Sequence, residues 1–290
     1  MNWFSKLGLK KSLIISMLAV GVLPLVLGSL FVLMQAKAGL ERQAFNQLVS
    51  IREARGGQVE DYFETIAGQS RTMAETTTVI EAAKAFRSAF HQLPDELDLN
   101  QEELAQERET LSEYYLGAFA SQYAKINAAN IDAQPLIPTD PVSVIAQYRY
   151  IADNPNPLGL KDKLDTGADD TAYSRAHAKY HPIFRSFLHE FGFYDVFIVD
   201  PETGHIVYSV FKELDFATSL KTGVYSQTNF ADAFRAAAEA GQGGEPILVD
   251  FAPYKPSYEA AASFISQPVF DGNTLVGVLI FQMPVGRINK

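Results

Sequence analysis

The chain has no cysteine in its 290 residues. Disulfides, thiolate catalysis and cysteine-ligated metal are excluded, so a fold must rest on its core alone. Tryptophan occurs once, at Trp3, and histidine five times. The histidines form no H-E-x-x-H pair. His177 and His181 stand four apart, on one face of any helix, but no third ligand stands at metal spacing and packing is the better reading. Glu102, Glu103, Glu107 and Glu109 lack a histidine partner and read as a solvated face. Asp162, Asp165, Asp169 and Asp170 do not follow calcium-loop spacing and read as a polar loop. A phosphate-cradling loop is missing too: Gly241-Gln242-Gly243-Gly244 has no lysine and no strand–loop–helix context. No G-x-S-x-G elbow and no nucleophile–base pair is legible. The expectation is a protein that is not an enzyme and carries no cofactor or metal.

Basic residues are also outnumbered. The net charge is −10, yet the first 34 residues hold Lys6, Lys10 and Lys11 and no acid, which leaves −13 on the rest. So acidic a body does not suit nucleic acid, whose binding requires cations against phosphates. Hydrophobic residues make up 47% of the chain, enough for a sizeable core. No internal repeat of fixed period occurs.

Residues 13–34 run without a charge, a length of about 22 residues that suffices to cross a hydrocarbon core. Gly21, Pro24 and Gly28 within it are tolerated in membrane helices. The preceding lysines place residues 1–12 in the cytoplasm by the positive-inside rule, with Trp3 and Phe4 at the interface and the remainder exported. The alternative is a cleaved signal peptide, for which Ala36-Lys37-Ala38 has the small-x-small pattern. The apolar run exceeds a signal peptide's usual core, which favours a retained single-pass anchor in a bacterial inner membrane.

Residues 35–141 are mainly helical in pattern. Leu40, Ala44, Leu48, Ile51, Val59, Tyr62, Ile66, Met73, Val79, Ala83 and Phe86 recur at three or four residues. One long helix is expected, with a break near Gly56-Gly57 or Gly68, packing on its own domain and pairing with a second copy. A polar turn with Pro94 is expected at 91–100, a second helix at 101–127, and a third at 142–153 ended by Asn154-Pro155-Asn156-Pro157. Residues 171–191 read as a helix that Pro182 kinks or restarts and Gly192 caps.

The stretch 192–216 reads as two strands around Pro201, Thr203 and Gly204. A short helix at 230–240, a strand at 247–251 and a second hairpin around Asp271-Gly272 complete an antiparallel α+β layer of about five strands. Aromatic and charged residues crowd the strand ends: Tyr194, Asp195, Tyr208, Lys212, Asp215, Thr218, Asp250 and Tyr254. Aromatic walls with a few placed charges suit a pocket for a small polar metabolite. An aspartate there can hold an ammonium, and Lys212 or Arg185 a carboxylate. The competing reading is that the tyrosines are core and the charges flank exposed loops. On the pocket reading, Tyr208→Ala and Asp215→Ala weaken ligand binding more than stability.

The segments FYDVFIVDPETGHIVYSVFKELDFATSL and SQPVFDGNTLVGVLIFQMP resemble a Cache (extracellular PAS-like) sensor domain. The similarity covers Val142 to Asn289, within a sensor domain taken as residues 142–290. Such domains occur in bacterial methyl-accepting chemotaxis receptors, sensor histidine kinases and membrane-bound cyclases. The resemblance implies a long N-terminal helix leading into a curved antiparallel sheet with a ligand cavity, a homodimer, and export to the periplasm. Its ligands would be amino acids, organic acids or amines. The R-x-W-Y element of the amino-acid-binding members does not follow Phe216. The sequence stops at Lys290 with no output domain, so a receptor fragment is expected. An anchored scaffold without ligand is the remaining alternative.

Overall fold

The computed structural model describes residues 8–283. Trp3, Phe4 and Lys6, assigned above to the cytoplasmic side and membrane interface, and the tail at Arg287–Lys290 lie outside them. The chain divides into two compact units, with the boundary after Tyr62. The first is the N-terminal part of helix α1 (Leu9–Ala74). Among the described residues it is the one helix long and apolar enough to cross a membrane by length and composition. Leu13, Val20, Leu25 and Phe31 all face outward there, as lipid-facing side chains would.

The second unit starts at Phe63, inside the section read above as a separate helical region. Within it, Ile66, Ser70, Met73 and Ala74 of α1 are buried. The expected break near Gly56-Gly57 or Gly68 does not occur. The helix instead ends at Ala74, and Thr76 caps α2 (Thr77–Leu97) by accepting from Val79 N. A hydroxyl that satisfies an orphan amide marks a helix start more firmly than glycine marks an end. The turn expected at 91–100 is displaced as well. Pro94 sits in the last turn of α2, and the chain reverses only at Asp98, in the left-handed region at φ 45°. So late in a helix, the missing proline N–H leaves few carbonyls to satisfy.

Asn100 and Glu103 form a reciprocal capping box on α3 (Gln101–Tyr114). A π-helical turn at Tyr115–Phe119 joins α3 to α4 (Ala120–Asn127). Asp140 caps α5 (Pro141–Gln147), which also runs into a π-helical turn, Tyr148–Ala152. Thr171 caps α6 (Ala172–Phe191), and Gly192 at φ 70° closes it. Pro182 neither breaks nor restarts this helix. Its face carries Tyr173, His177, Tyr180, His181, Phe184 and Leu188 into the core, and that packing outweighs one lost backbone bond.

The sheet follows: β1 (Asp195–Val199), β2 (Ile206–Ser209), then α7 (Asn229–Glu239), β3 (Ile247–Tyr254), β4 (Ala260–Asp271) and β5 (Thr274–Met283). All pairings are antiparallel in the order β2-β1-β5-β4-β3. This is the expected PAS-like α+β arrangement. One face meets α7 through Phe197, Val199, Phe230, Phe234, Phe264 and Ile280. Helices α2 and α6 cover the opposite side. Gly277 permits the close approach, because a Cβ there would meet Ala83 Cβ at 3.0 Å. Asp200 organises the β1–β2 turn. Its carboxylate takes Thr203 Oγ1 at 2.6 Å, Arg87 Nε at 2.9 Å and His91 Nε2 at 2.8 Å, and Gly204 adopts φ 74°.

Candidate functional site

The segment leaving β2 has an uncommon backbone. Lys212 and Ala217 both occupy positive φ, at 56° and 66°, as do Tyr258 and Glu259 in the β3–β4 connection, at 57° and 62°. A non-glycine residue in that region costs roughly 1–3 kcal/mol. Four of the six such residues in the described chain therefore gather at one end of the sheet. Side chains from distant elements hold the segment. Gln147 Nε2 donates to the carbonyls of Leu214 (3.0 Å) and Phe216 (2.6 Å), and Ser143 Oγ to that of Ala217 (2.6 Å). Tyr115, in the first π-helical turn, donates to Gln147 Oε1 at 2.7 Å. Asp195 Oδ1 accepts from the amides of Val196, Val210 and Phe211 at 2.6–3.2 Å.

Beside this strap lies a cavity of about 460 Å³. Its walls include Tyr114, Phe119, Tyr194, Phe211 and Tyr258, with Lys161, His189, Lys212 and Glu213 as the ionisable aliphatic and imidazole groups. The volume falls in the range of small-ligand sites. Glu213 is half-buried, with its carboxylate accepting from Tyr194 Oη at 2.7 Å and Ser257 Oγ at 2.9 Å. Lys212 is buried, and its ammonium donates to the Ser209 carbonyl while lying 4.7 Å from the Tyr208 ring and 5.3 Å from that of Phe216.

Burial governs the electrostatics. It pushes Glu213 well above the usual carboxylate range, and the nearby Asp215 and Asp195 charges add to the rise. Burial, then the Asp215 charge, raises Asp195 as well. Burial lowers the Lys212 ammonium, against the pull of Asp195. Asp215 is pushed up to about 6 by burial, and the 2.6 Å bond from Tyr254 Oη opposes the shift. A carboxyl whose folded pKa is raised contributes stability below its unfolded value of 3.8 and loses it as pH rises through the folded value. The wild type should therefore lose about 3 kcal/mol relative to Asp215→Asn between pH about 4 and about 6. Urea denaturation of both proteins across that range checks this. His177 and His181, which burial holds low, act in the opposite direction but equally in both proteins.

The residues expected to form a pocket are thus partly gathered. Tyr194 and Lys212 reach the cavity wall. Asp195, Asp215, Thr218 and Tyr254 are buried and do not line it. Tyr208 is fully buried against Phe86, with ring centroids 4.6 Å apart, so it belongs to the core between the sheet and α2. Both Tyr208 and Asp215 are fully buried, so a stability loss is expected of Tyr208→Ala and Asp215→Ala. Arg185 is taken up by the 160s loop, donating to the Asp162 carbonyl at 2.7 Å and pairing with Asp165 at 2.8 Å. Asp250 is exposed on β3 and accepts from Phe251 N. His177 and His181 stack at 4.3 Å inside the core, and among the described residues no cluster is placed to hold a metal ion. Sequence reasoning missed Glu213, Tyr114, Lys161, His189 and Tyr258. Only Glu213 had a local signal, its place between Lys212 and Asp215.

No family model matches the chain, and no curated protein does. Among solved structures, the chain is similar to the crystal structure of the sensor domain of the V. cholerae histidine kinase DctB. The identity is 14% and the TM-score 0.29, over 63% of this chain and 59% of that one. The chain thus spans less than two thirds of the length of the structure it matches.

Proposed function

We propose that the chain is the extracytoplasmic ligand-sensing region of a bacterial transmembrane receptor of the chemotaxis or signal-transduction type. The observation that carries this reading is the cavity at Glu213, walled by aromatic rings and bordered by strained backbone, in a PAS-like domain whose chain also carries a membrane-length helix. Cavities that are only packing defects have no reason to gather four left-handed residues and a carboxylate. Residues 142–290 supply the sensor proper. The membrane segment is 13–34, with its N-terminal side cytoplasmic and the sensor periplasmic, and the working form is a homodimer.

A small polar metabolite enters between the strap at 210–217 and Tyr258. Its affinity differs between two settings of the strap, and that difference limits the signal it can send. The strap is tied to α5 by Ser143 and Gln147 and to the π-helical turn after α3 by Tyr115. Helix α2 lies on the same sheet and receives any change in its curvature. The N-terminal helix then carries that change toward the membrane.

A thermal-shift screen with amino acids, organic acids and amines tests the reading on wild type and on Leu158→Trp, which places an indole in the cavity. A true ligand at a hundredfold excess over Kd should stabilise wild type by about 2.7 kcal/mol. That corresponds to a Tm rise of roughly 5–10 °C for a domain of this size. The Leu158→Trp variant should show no rise. An absence of any stabilising compound for wild type would leave the cavity without a sensing role.

A further inference from the structure

We propose that the strap at 210–217 is a proton-operated latch, seated on the sheet end while the carboxyl groups of Glu213 and Asp215 are protonated and loosened when they ionise. The latch needs no ligand, so it stands or falls separately from the sensing role. Three carboxyl groups meet at this end of the sheet, Asp195, Glu213 and Asp215, and their charges act on one another. They are not equally equipped to carry charge. Asp195 accepts from three backbone amides and attracts the Lys212 ammonium. The Glu213 oxygens take the neutral hydroxyls of Tyr194 and Ser257. Asp215 Oδ2 takes the Tyr254 hydroxyl at 2.6 Å, and its Oδ1 is buried without a hydrogen-bond partner. A buried carboxyl with an unpartnered oxygen costs less neutral than charged.

The groups that face the strap from other elements do not supply the missing positive charge. On α6, burial lowers His177 and His181, Arg185 pairs with Asp165 at 2.8 Å, and His189 faces Asp162 at 3.4 Å. In the 160s loop, Asp162 adds another carboxylate acting on Lys212, and Lys161 donates to the Asn154 carbonyl beneath the Tyr114 ring. Near Glu213 and Asp215, α3 and the turn after it bring Tyr114 and Tyr115, the 220s loop Tyr225, and the β3–β4 connection Tyr258. All four are phenols that burial pushes up, so they stay neutral.

The backbone links ionisation to movement. Glu213 is half-buried beside the cavity, but Asp215 is fully buried and reaches water only if the strap lifts. Lys212 and Ala217 bracket both carboxyls in left-handed backbone, and a lifted strap relaxes it. Ser143 and Gln147 hold carbonyls of the same segment, so the displacement is felt at α5.

Hydrogen–deuterium exchange of the full chain in detergent micelles at about pH 5 and about pH 8, corrected for the intrinsic rate, tests this. Opening across 210–218 should rise about tenfold, the change produced by a carboxyl at about 6 in the seated strap and 3.8 in the open one. Opening of β4 and β5 should not rise with it, because the buried neutral histidines stabilise the whole domain as pH increases. Asp215→Asn should hold the rise at 210–218 to about twofold or less. Glu213→Gln should also reduce it, and this variant carries the test where Asp215→Asn fails to fold. His189→Gln should respond as wild type does. No rise in wild type, an equal rise in β4 and β5, or a wild-type rise in either carboxyl variant would overturn the latch. So would loss of the rise in His189→Gln.

Discussion

Replacing Tyr208 by alanine should destabilise the fold by about 3–5 kcal/mol, the range for deleting a large buried ring. Its side chain is wholly enclosed between Phe86, 4.6 Å away by ring centroid, and Phe184, 5.1 Å away. The Oη lies 2.8 Å from His181 Nδ1, and the ring is a neighbour of the Lys212 ammonium at 4.7 Å. Alanine would open a cavity, leave His181 Nδ1 without that partner, and remove one aromatic wall from a buried cation. Tyr208→Phe keeps the ring and loses only the hydroxyl, so its cost should be about 1 kcal/mol. Urea denaturation followed by near-ultraviolet circular dichroism separates the two variants. A loss below 1 kcal/mol for the alanine variant would show that the ring is not a core element. Binding at the cavity should be unchanged in the phenylalanine variant, since Tyr208 does not line the wall.

Tyr208 also shows how far the amino-acid sequence could be read. The hairpin that contains it is a local structure. Its strands are β-branched and aromatic, and its turn is written in Asp200, Thr203 and Gly204, which bond one another within five residues. Short-range signals of this kind gave the five strands, the cap at Gly192 and the apolar segment at 13–34. Pro94 did not make a turn because it stands in the last turn of α2, and Pro182 did not start a new helix because the buried face of α6 outweighs one lost backbone bond. The side to which Tyr208 points was not legible, because a bulge between Ile198 and Val199 shifts the register and pairs Tyr208 with Ile198. One such shift changes the face of every residue beyond it.

The cavity was less legible than the sheet for a related reason. Its walls come from α3, the 160s loop, the end of α6, the strap after β2 and the β3–β4 connection. Tyr114, Lys161, Glu213 and Tyr258 become neighbours only through tertiary packing. Density of aromatic and charged residues around the first hairpin pointed to the end of the sheet beside which the cavity lies. It could not separate the residues that touch the cavity from those that hold the strap. The polar groups that set the strap's path, such as Gln147 and Ser143, act on backbone carbonyls and carry no motif.

Asp195 is where support and charge meet, and its removal should have the second large effect. Asp195→Ala should cost a few kcal/mol, since a buried donor left without its acceptor costs about 1–3 kcal/mol. Two losses combine. The Phe211 amide, which points at both carboxylate oxygens at 3.2 and 3.3 Å, loses its acceptor. Lys212, buried at 2% exposure, loses the carboxylate that opposes the effect of its burial. Asp195→Asn retains a carbonyl oxygen for the amides, so it should cost markedly less than alanine. The double variant Asp195→Ala/Lys212→Met removes the stranded ammonium and should recover part of the loss, which a double-mutant cycle reads as a coupling of about 1–3 kcal/mol. Additive losses in that cycle would mean that Asp195 acts on the strap's backbone alone. The coupling matters for sensing, because the strap that Asp195 fixes carries both Lys212 and Glu213. On the sensing reading, a ligand entering the cavity would move the strap only against the bonds that hold it.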